Sequence, residues 1–168
     1  VIAAKKSPQV EQPGLKDIYQ VATLCRIEKT IPVNNDLHAI VKGLVRVRIH
    51  DVSLIDKTLT ATISQAQEII PDGNELRAMV NHLISQIKKA VNLGRANIEV
   101  PVFMRLIGTS SPPAATDQVA SVLDLETRSK QKLLEEVDLK KRLRRVLKHL
   151  DHEINILQLE RKIASKTQ

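Results

Sequence analysis

Histidine and cysteine side chains are the residues best suited to metal binding or nucleophilic chemistry, and this sequence has few of them. His149 and His152 stand three residues apart beside Asp151 and Glu153, a spacing that on a helix could turn both imidazoles toward one metal ion. Two histidines on a charged helix are more often solvated, so we expect no metal site. Cys25 is the single cysteine and stands in an apolar run, which favours a small buried thiol over a nucleophile.

The glycines argue against the common nucleotide-binding loops. None of the five can form G-x-x-x-x-G-K-[ST] or G-x-G-x-x-G, since they are Gly14, Gly43, Gly73, Gly94 and Gly108. G-x-S-x-G and H-E-x-x-H are also absent from the sequence. We therefore expect no catalytic residue, cofactor site or metal site in this chain.

A basic cluster near the C-terminus could bind phosphate groups. Residues 126–168 hold 12 basic and 7 acidic side chains, against 14 and 12 in residues 1–125. The densest part consists of Lys140, Lys141, Arg142, Arg144, Arg145 and Lys148. Lysine and arginine side chains that neutralise phosphates release counterions, which favours binding. All of these residues except Arg142 are therefore candidates for nucleic-acid contact. A solvated helix face that aids solubility is the plainer interpretation.

Composition indicates a globular protein with an aliphatic core. The 168 residues carry a formal charge of +7, with 42% hydrophobic and 27% charged residues. Tyr19 and Phe103 are the only aromatic residues, which argues against base stacking and aromatic cages. A single cysteine and the lack of any run of about 20 apolar residues argue against a disulfide scaffold and a membrane span. We expect a cytoplasmic protein.

The elements that position these residues change in character near Pro71. Before it, apolar residues alternate along the chain. Strands are predicted at residues 19–28, which are rich in Val, Thr, Leu and Ile, and at residues 45–50 and 58–63, where apolar and polar residues alternate. One polar face on each strand is typical of an antiparallel sheet. The turn between the first two strands is assigned to residues 34–36, Asn-Asn-Asp, because these side chains tolerate left-handed backbone.

After Pro71 the apolar residues recur every three or four positions, which predicts helices. The first contains residues 76–91 and ends at Gly94. Later helices are predicted over residues 99–107, 117–125, 129–137 and 139–166, with a break at 108–113. The sequence thus predicts an α+β fold: a β module at 1–70, a helical bundle at 71–138 and a long C-terminal helix at 139–168.

The long last helix has an apolar seam with coiled-coil spacing. Its residues recur at intervals of 4, 3, 4 and 3, namely Leu143, Leu147, Leu150, Ile154 and Leu157. We take Leu150, Ile154 and Leu157 as candidates for assembly with a second copy of the chain or with a further domain. Packing against the chain's own helices is the alternative.

Four segments in order resemble the N-terminal region of the ATP-dependent protease Lon. Residues 17–27 and 41–49 are similar to the family's strand pair, x-Y-x-V-G-T-x-A-x-I and E-G-L-x-R-x-x-I. Residues 130–143 and 150–163 are similar to its helical segments, K-Q-x-L-L-E-x-x-D-x-x-x-R-L and E-I-x-x-L-x-x-E-x-x-I. Each motif is weak alone, but their order and spacing agree over most of the chain.

The resemblance implies a PUA-like β module and a helical bundle ahead of an AAA+ ATPase and a protease with a Ser-Lys dyad. Ala22 stands where the family usually has glycine, and Lys42 where it has glutamate. The family's opening strands are missing ahead of Val1, so we expect a fragment whose beginning lies upstream and whose ATPase domain would follow. ATP and magnesium are expected only for the full-length protein.

The resemblance also implies partners. In the family this region engages unfolded or damaged proteins and helps to assemble the ring, so we expect such proteins and further copies of the chain, a hexamer for the full-length protein, and no membrane. Val102, Phe103 and Leu106 share one face of a predicted helix and are candidates for substrate binding, with core packing as the alternative. A DNA-binding module using the basic cluster and a standalone Lon-domain or coiled-coil adaptor stay open.

Overall fold

A computed structural model of the chain describes residues 1–94 and 100–166, with the side chains at 100, 102, 103, 106 and 109 outside the description. The chain forms two compact units, Val1–Gln67 and Glu68–Gln168. The first is a β unit and the second is a helical unit, which confirms the α+β fold. Residues 139–166 belong to the same unit as the helices before them.

The β unit is built on a three-stranded antiparallel sheet of order β1-β2-β3. Its strands are β1 (Val21–Val33), β2 (Asp36–Ile55) and β3 (Thr58–Gln65). All three predicted strands are present, but β1 and β2 extend much closer to their shared turn than the predicted strands at residues 19–28 and 45–50 do. The physical reason is that Asn34 adopts left-handed backbone, with φ of 54°, and so closes the hairpin with only two residues between the strands.

The core of the β unit is small and lies at one end of the sheet. Its buried members are Ile18, Ala22, Val47 and Ile49. The 3-10 turn Leu15–Asp17 stands just before Ile18, and Leu15 packs against this core. The core therefore covers only part of β1 and β2.

The helical unit contains five helices in the described part of the chain. They are α1 (Asn74–Asn92), α2 (Val100–Thr109), α3 (Pro112–Val122), α4 (Thr127–Glu135) and α5 (Leu139–Lys166). The chain leaves α1 through Gly94, with φ of 109°, and α5 has the predicted bounds. The boundaries predicted for the third helix, 117–125, are wrong. Pro112 and Pro113 begin this helix rather than break the chain, because an N–H in the first turn of a helix has no partner within the helix and proline, which lacks one, fits there.

The core of the helical unit forms mainly where α5 packs on α1. Leu83 and Ile87 of α1 and Leu143, Val146 and Leu150 of α5 belong to one buried cluster. Each of these five side chains is fully buried. The inner face of α5 is therefore covered by the chain's own helices.

Arg142 is a charged residue inside this unit and is fully buried. Its Nη2 donates to Oε1 of Glu68 at 2.6 Å, and its Nη1 donates to the carbonyl oxygen of Glu136 at 2.7 Å. Its Nε lies 3.1 Å from Oδ1 of Asp117, an ion pair without hydrogen-bond geometry at Nε. One guanidinium thus connects α5 to α3, to the segment before α1 and to the segment after α4.

Candidate binding surfaces

The sheet of the β unit extends beyond its core as a two-stranded arm, residues 25–44. Because β3 pairs with β2 only between Val47 and Ile55, β1 and β2 continue alone toward their turn. Every residue from 26 to 44 is exposed. In the described residues no third strand pairs with the arm. A two-stranded ribbon is marginal by itself, so a further partner would stabilise it.

One face of the arm is almost entirely apolar. Residues that pair directly in an antiparallel sheet point to the same face, and alternate residues of a strand share a face. Leu37, Ala39 and Val41 of β2 lie opposite their β1 partners Pro32, Thr30 and Ile27, and these six residues are called the apolar face. Ile27 is 65% exposed and Leu37 68% exposed. The side chains of this face are exposed to water, and a binding partner could bury them.

The opposite face of the arm is mixed and is basic at its base. Arg26 pairs directly with Lys42, and Lys29 pairs with Ile40, two residues nearer the turn than Lys42. We call Arg26, Lys29 and Lys42 the basic triplet, and all three are exposed. Toward the tip of the arm the same face ends at Asp36, which is also exposed. Among the residues that pair across the two strands, this face is therefore positive at one end and negative at the other.

A second, smaller apolar pair lies at the far end of the sheet. Leu54 and Leu59 pair across β2 and β3 beside the turn at Asp56 and Lys57. They are 63% and 52% exposed. This pair has the same side-chain chemistry as the apolar face but only two members.

The substrate-binding candidates from the sequence fall in α2. Val102, Phe103 and Leu106 lie within its bounds, but their side chains lie outside the described residues, so that assignment stays a prediction. The apolar face is not among the sites predicted from the sequence. A signal for it was present, since Leu37, Ala39 and Val41 alternate directly after the Asn-Asn turn.

The basic cluster of α5 is largely paired with carboxylates of its own unit. Lys140 Nζ lies 2.7 Å from Glu75 Oε2, and Arg145 Nη2 lies 2.9 Å from Glu136 Oε2. Longer contacts of 3.9 Å join Lys141 to Asp138 and Arg144 to Glu75. Four of the five proposed nucleic-acid contacts thus have an acidic neighbour, which reduces the charge available to phosphates.

The neighbouring cations lower the pKa of Glu75. The hydrogen bond from Lys140 is the largest cause of a lowered pKa for this carboxyl group, followed by the positive charge of Lys140 itself. Glu75 therefore stays ionised to lower pH than an isolated glutamate would. Its negative charge lies against the basic cluster at neutral pH.

The histidines and the cysteine have ordinary structural surroundings. His149 is partly buried, and this burial, followed by the charges of Lys148 and His152, lowers its pKa. Cys25 is partly buried, and its Sγ donates to the carbonyl oxygen of Thr23 at 3.6 Å. Among the described residues there is no cluster of three or more His, Cys, Asp or Glu side chains that could hold a metal ion. Nor does any helix in that part of the chain have the length and apolar character needed to cross a membrane.

The structure places the three assembly candidates of α5 against the chain's own helices. Leu150 and Ile154 are buried in the core of the helical unit, and Leu157 is partly buried against it. The alternative of packing within the chain therefore describes these three positions. The apolar residues that α5 exposes are different ones, Ile156, Leu159 and Ile163.

This placement gives a prediction for Leu157. We expect Leu157→Asp to lower the free energy of unfolding of the helical unit by about 1 to 3 kcal/mol, because it puts a charge against apolar side chains. Urea unfolding followed by helical circular dichroism measures this change. Leu159→Asp, two residues away and 58% exposed, is the control and should change it by less than about 0.5 kcal/mol. Unchanged stability together with a loss of self-association in Leu157→Asp would instead support the assembly role.

Taken together, a small antiparallel sheet with an exposed apolar arm and a helical unit define an α+β protein with an exposed apolar surface. Residues 1–152 match the family model described as the ATP-dependent protease La (LON) substrate-binding domain. The chain therefore belongs to this family, which confirms the resemblance found in the sequence.

Similar proteins support the assignment to this family. The chain is similar to Lon protease of Heliobacterium modesticaldum, with 32% identity over 96% of this chain and 20% of that protein. It is 25% identical to Lon protease of Escherichia coli K12, over 99% of this chain and 21% of that protein. The chain thus spans about a fifth of the length of these relatives.

A solved structure shows the same fold. The N-terminal domain of Lon protease from the Mycobacterium avium complex superimposes with a TM-score of 0.66 at 18% identity. The match covers 81% of this chain and 72% of that one. At this identity the match supports the fold alone.

Proposed function

We propose that this chain recruits unfolded or damaged proteins to a Lon-type ATP-dependent serine protease and has no catalytic activity of its own. The observation on which the proposal rests is the exposed apolar face of the arm. The family name, substrate-binding domain, is consistent with this role. The hydrolysis of ATP and of peptide bonds would belong to other parts of the full-length protein.

The physical argument is that unfolded proteins differ from folded ones mainly in the apolar side chains they expose. Monomeric soluble proteins rarely expose large continuous apolar surfaces, and where they do, the surface usually binds something. The apolar face has five apolar side chains out of six, all of them exposed. Burying such side chains against those of an unfolded chain would drive binding without requiring a particular sequence.

The wider setting of this module is part of the proposal. We propose that the full-length protein works as a cytoplasmic hexamer and uses ATP with magnesium. The residues of this chain do not fit a nucleotide, because its five glycines are dispersed and form no phosphate-binding loop. The nucleotide would therefore bind outside this chain, which contributes to substrate recruitment and to assembly.

Binding to a denatured model protein tests the proposal. We expect the 168-residue chain to bind a small disulfide protein in its reduced, carboxymethylated form and not in its native form. Because apolar burial is not screened by salt, the dissociation constant should change by less than about threefold between about 50 and about 500 mM NaCl. Fluorescence anisotropy of the labelled model protein measures both points.

The same experiment separates this function from nucleic-acid binding. A short DNA duplex is titrated in parallel at the same salt concentrations. Two results together would favour the nucleic-acid alternative and contradict substrate recruitment. The chain would bind DNA more tightly than the denatured protein, with an affinity that falls steeply with salt, and it would no longer bind the denatured protein at high salt.

A further inference from the structure

The two outer edges of the arm differ in their ability to accept another strand. The β1 edge is interrupted by a register shift between Ile27 and Lys29, and Pro32 removes one of its N–H donors. The β2 edge from residue 36 to residue 43 contains no proline. Bulges and prolines are devices that protect a strand edge from pairing, and only the β1 edge has both. The β2 edge is therefore the one open to a partner.

The main chain of β2 presents its hydrogen-bonding groups outward at alternate residues. With two residues in the turn, Val33 and Asp36 form the hydrogen-bonded pair that closes the hairpin. The next pair, Pro32 with Leu37, is then a non-hydrogen-bonded pair, and so is Thr30 with Ala39. The N–H and C=O groups of Leu37 and Ala39 thus point away from β1, toward the open edge.

We propose that two copies of this chain associate through this edge, with residues 36–42 of each β2 paired antiparallel about Ala39. In this register Ala39 lies opposite Ala39 of the second copy, and Leu37 lies opposite Val41. The positions with outward main-chain groups face one another, as an antiparallel ladder requires. The proposal rests on the geometry and charge of the arm, independently of substrate binding.

Charge complementarity selects the second copy as the occupant. The same register places Asp36 of each copy opposite Lys42 of the other, so the negative tip of one arm lies beside the basic triplet of its partner. Opposite charges directly across two strands stabilise a sheet, and like charges destabilise it. If the register shifts by two residues in either direction, Asp36 no longer lies opposite Lys42 of the second copy.

The length of the open edge of β2 also fits the proposed pairing. β3 pairs with β2 from Val47 onward, and the N–H of Ala66 donates to the carbonyl oxygen of Arg46. In the proposed register the partner's turn at residues 34 and 35 lies opposite residues 43 and 44, just short of that point. The paired arms form a four-stranded ribbon, and the two apolar faces join on one side of it.

Charge reversal tests the proposal in the 168-residue chain. Sedimentation velocity over about 10 to about 500 µM should show a concentration-dependent dimer, as expected of a short interface. Asp36→Lys alone and Lys42→Asp alone should each weaken dimerisation by about tenfold, because each replaces two attractive pairs by two repulsive ones. The double variant D36K/K42D restores opposite charges in exchanged positions and should return to nearly the wild-type dissociation constant.

A disulfide across the symmetry axis tests the register directly. In a Cys25→Ser background, Ala39→Cys should crosslink under mild oxidation, since hydrogen-bonded antiparallel pairs place Cα atoms about 5.5 Å apart, within disulfide range. Thr30→Cys, its direct partner on the protected edge, is the matched control and should stay uncrosslinked.

Three outcomes would overturn the proposal: a chain that is monomeric throughout the range, a double variant no better than the single ones, or equal crosslinking at positions 30 and 39. A monomer whose Ala39 amide is protected from hydrogen exchange only when a denatured protein is added would overturn it too. In that case the edge takes a substrate strand, and substrate recruitment stands while dimerisation through the arm fails.

Discussion

Arg142→Met is expected to lower the free energy of unfolding of the helical unit by about 2 to 4 kcal/mol. The guanidinium is fully buried and contacts Glu68, Asp117 and the carbonyl oxygen of Glu136. Methionine fills a similar volume, but Glu68 and the carbonyl oxygen of Glu136 lose a hydrogen-bond donor and Asp117 loses a cationic neighbour. Removing one partner of a buried ion pair costs more than the intact pair contributes, because the charge that remains has lost its compensation.

The partial exposure of the carboxylates limits the effect. The side chain of Glu68 is 24% exposed and that of Asp117 39% exposed, so water can replace part of what the guanidinium supplied. For this reason we expect a loss below that of a wholly buried ion network. It should still be among the largest losses for a single substitution in this unit.

Arg145→Met is the matched control, three residues along the same helix. Its Nη2 lies 2.9 Å from Glu136 Oε2, but its side chain is 51% exposed, so we expect a loss below about 1 kcal/mol. Urea unfolding at neutral pH, followed by helical circular dichroism, measures both variants, with the β unit's transition treated separately. Equal, small losses in the two variants would show that the Arg142 network does not stabilise the unit.

The long helix was predictable because its signal is local. Residues 139–166 contain neither glycine nor proline and keep helical apolar spacing throughout, and the structure gives α5 the same bounds. The surface that covers its apolar seam was not predictable. Seam spacing is the same whether a helix packs on its own chain or on another, and only the position of α1 decides between them.

The arm shows the corresponding limit for strands. Alternation around residues 45–49 identified the part of β2 that the core buries, because one face there is apolar and the other polar. Toward the turn, Ile40 and Ile31 put apolar residues on the second face as well, and the strict alternation is lost. The pairing of β1 with β2 across the two-residue turn places the apolar face and the basic triplet on opposite faces of the arm. The sequence does not show this pairing directly.

Arg142 was hidden for a different reason. In the sequence it is one of six basic residues within nine positions, and nothing in the spacing marks it as buried. Its partners Glu68 and Asp117 are 74 and 25 positions away, so only the packing of α5 against α3 and against the segment before α1 brings the three side chains together. Charge clusters read from a sequence therefore overstate the charge that a surface presents.

The second large effect is expected in substrate binding. We expect the double variant Ile27→Ser and Leu37→Ser to weaken binding of a denatured model protein by about 10- to 100-fold. Full burial of one such side chain contributes about 1.5 to 3 kcal/mol, and partial burial of both against a flexible partner gives a loss in that range. The two residues lie at opposite ends of the apolar face, so the variant interrupts the whole surface rather than one point of it.

The fold should tolerate this change, which makes the binding result interpretable. Both side chains are about two-thirds exposed and neither belongs to the core of the β unit, so the thermal midpoint should shift little. Leu54→Ser with Leu59→Ser is the control, since it removes an exposed apolar pair from the far end of the same sheet. If the control weakened binding as much as the arm variant did, general apolar exposure rather than the apolar face would be responsible. Unchanged binding in the arm variant, with its fold intact, would remove the observation on which the proposed function rests and direct attention to the α2 candidates Val102, Phe103 and Leu106.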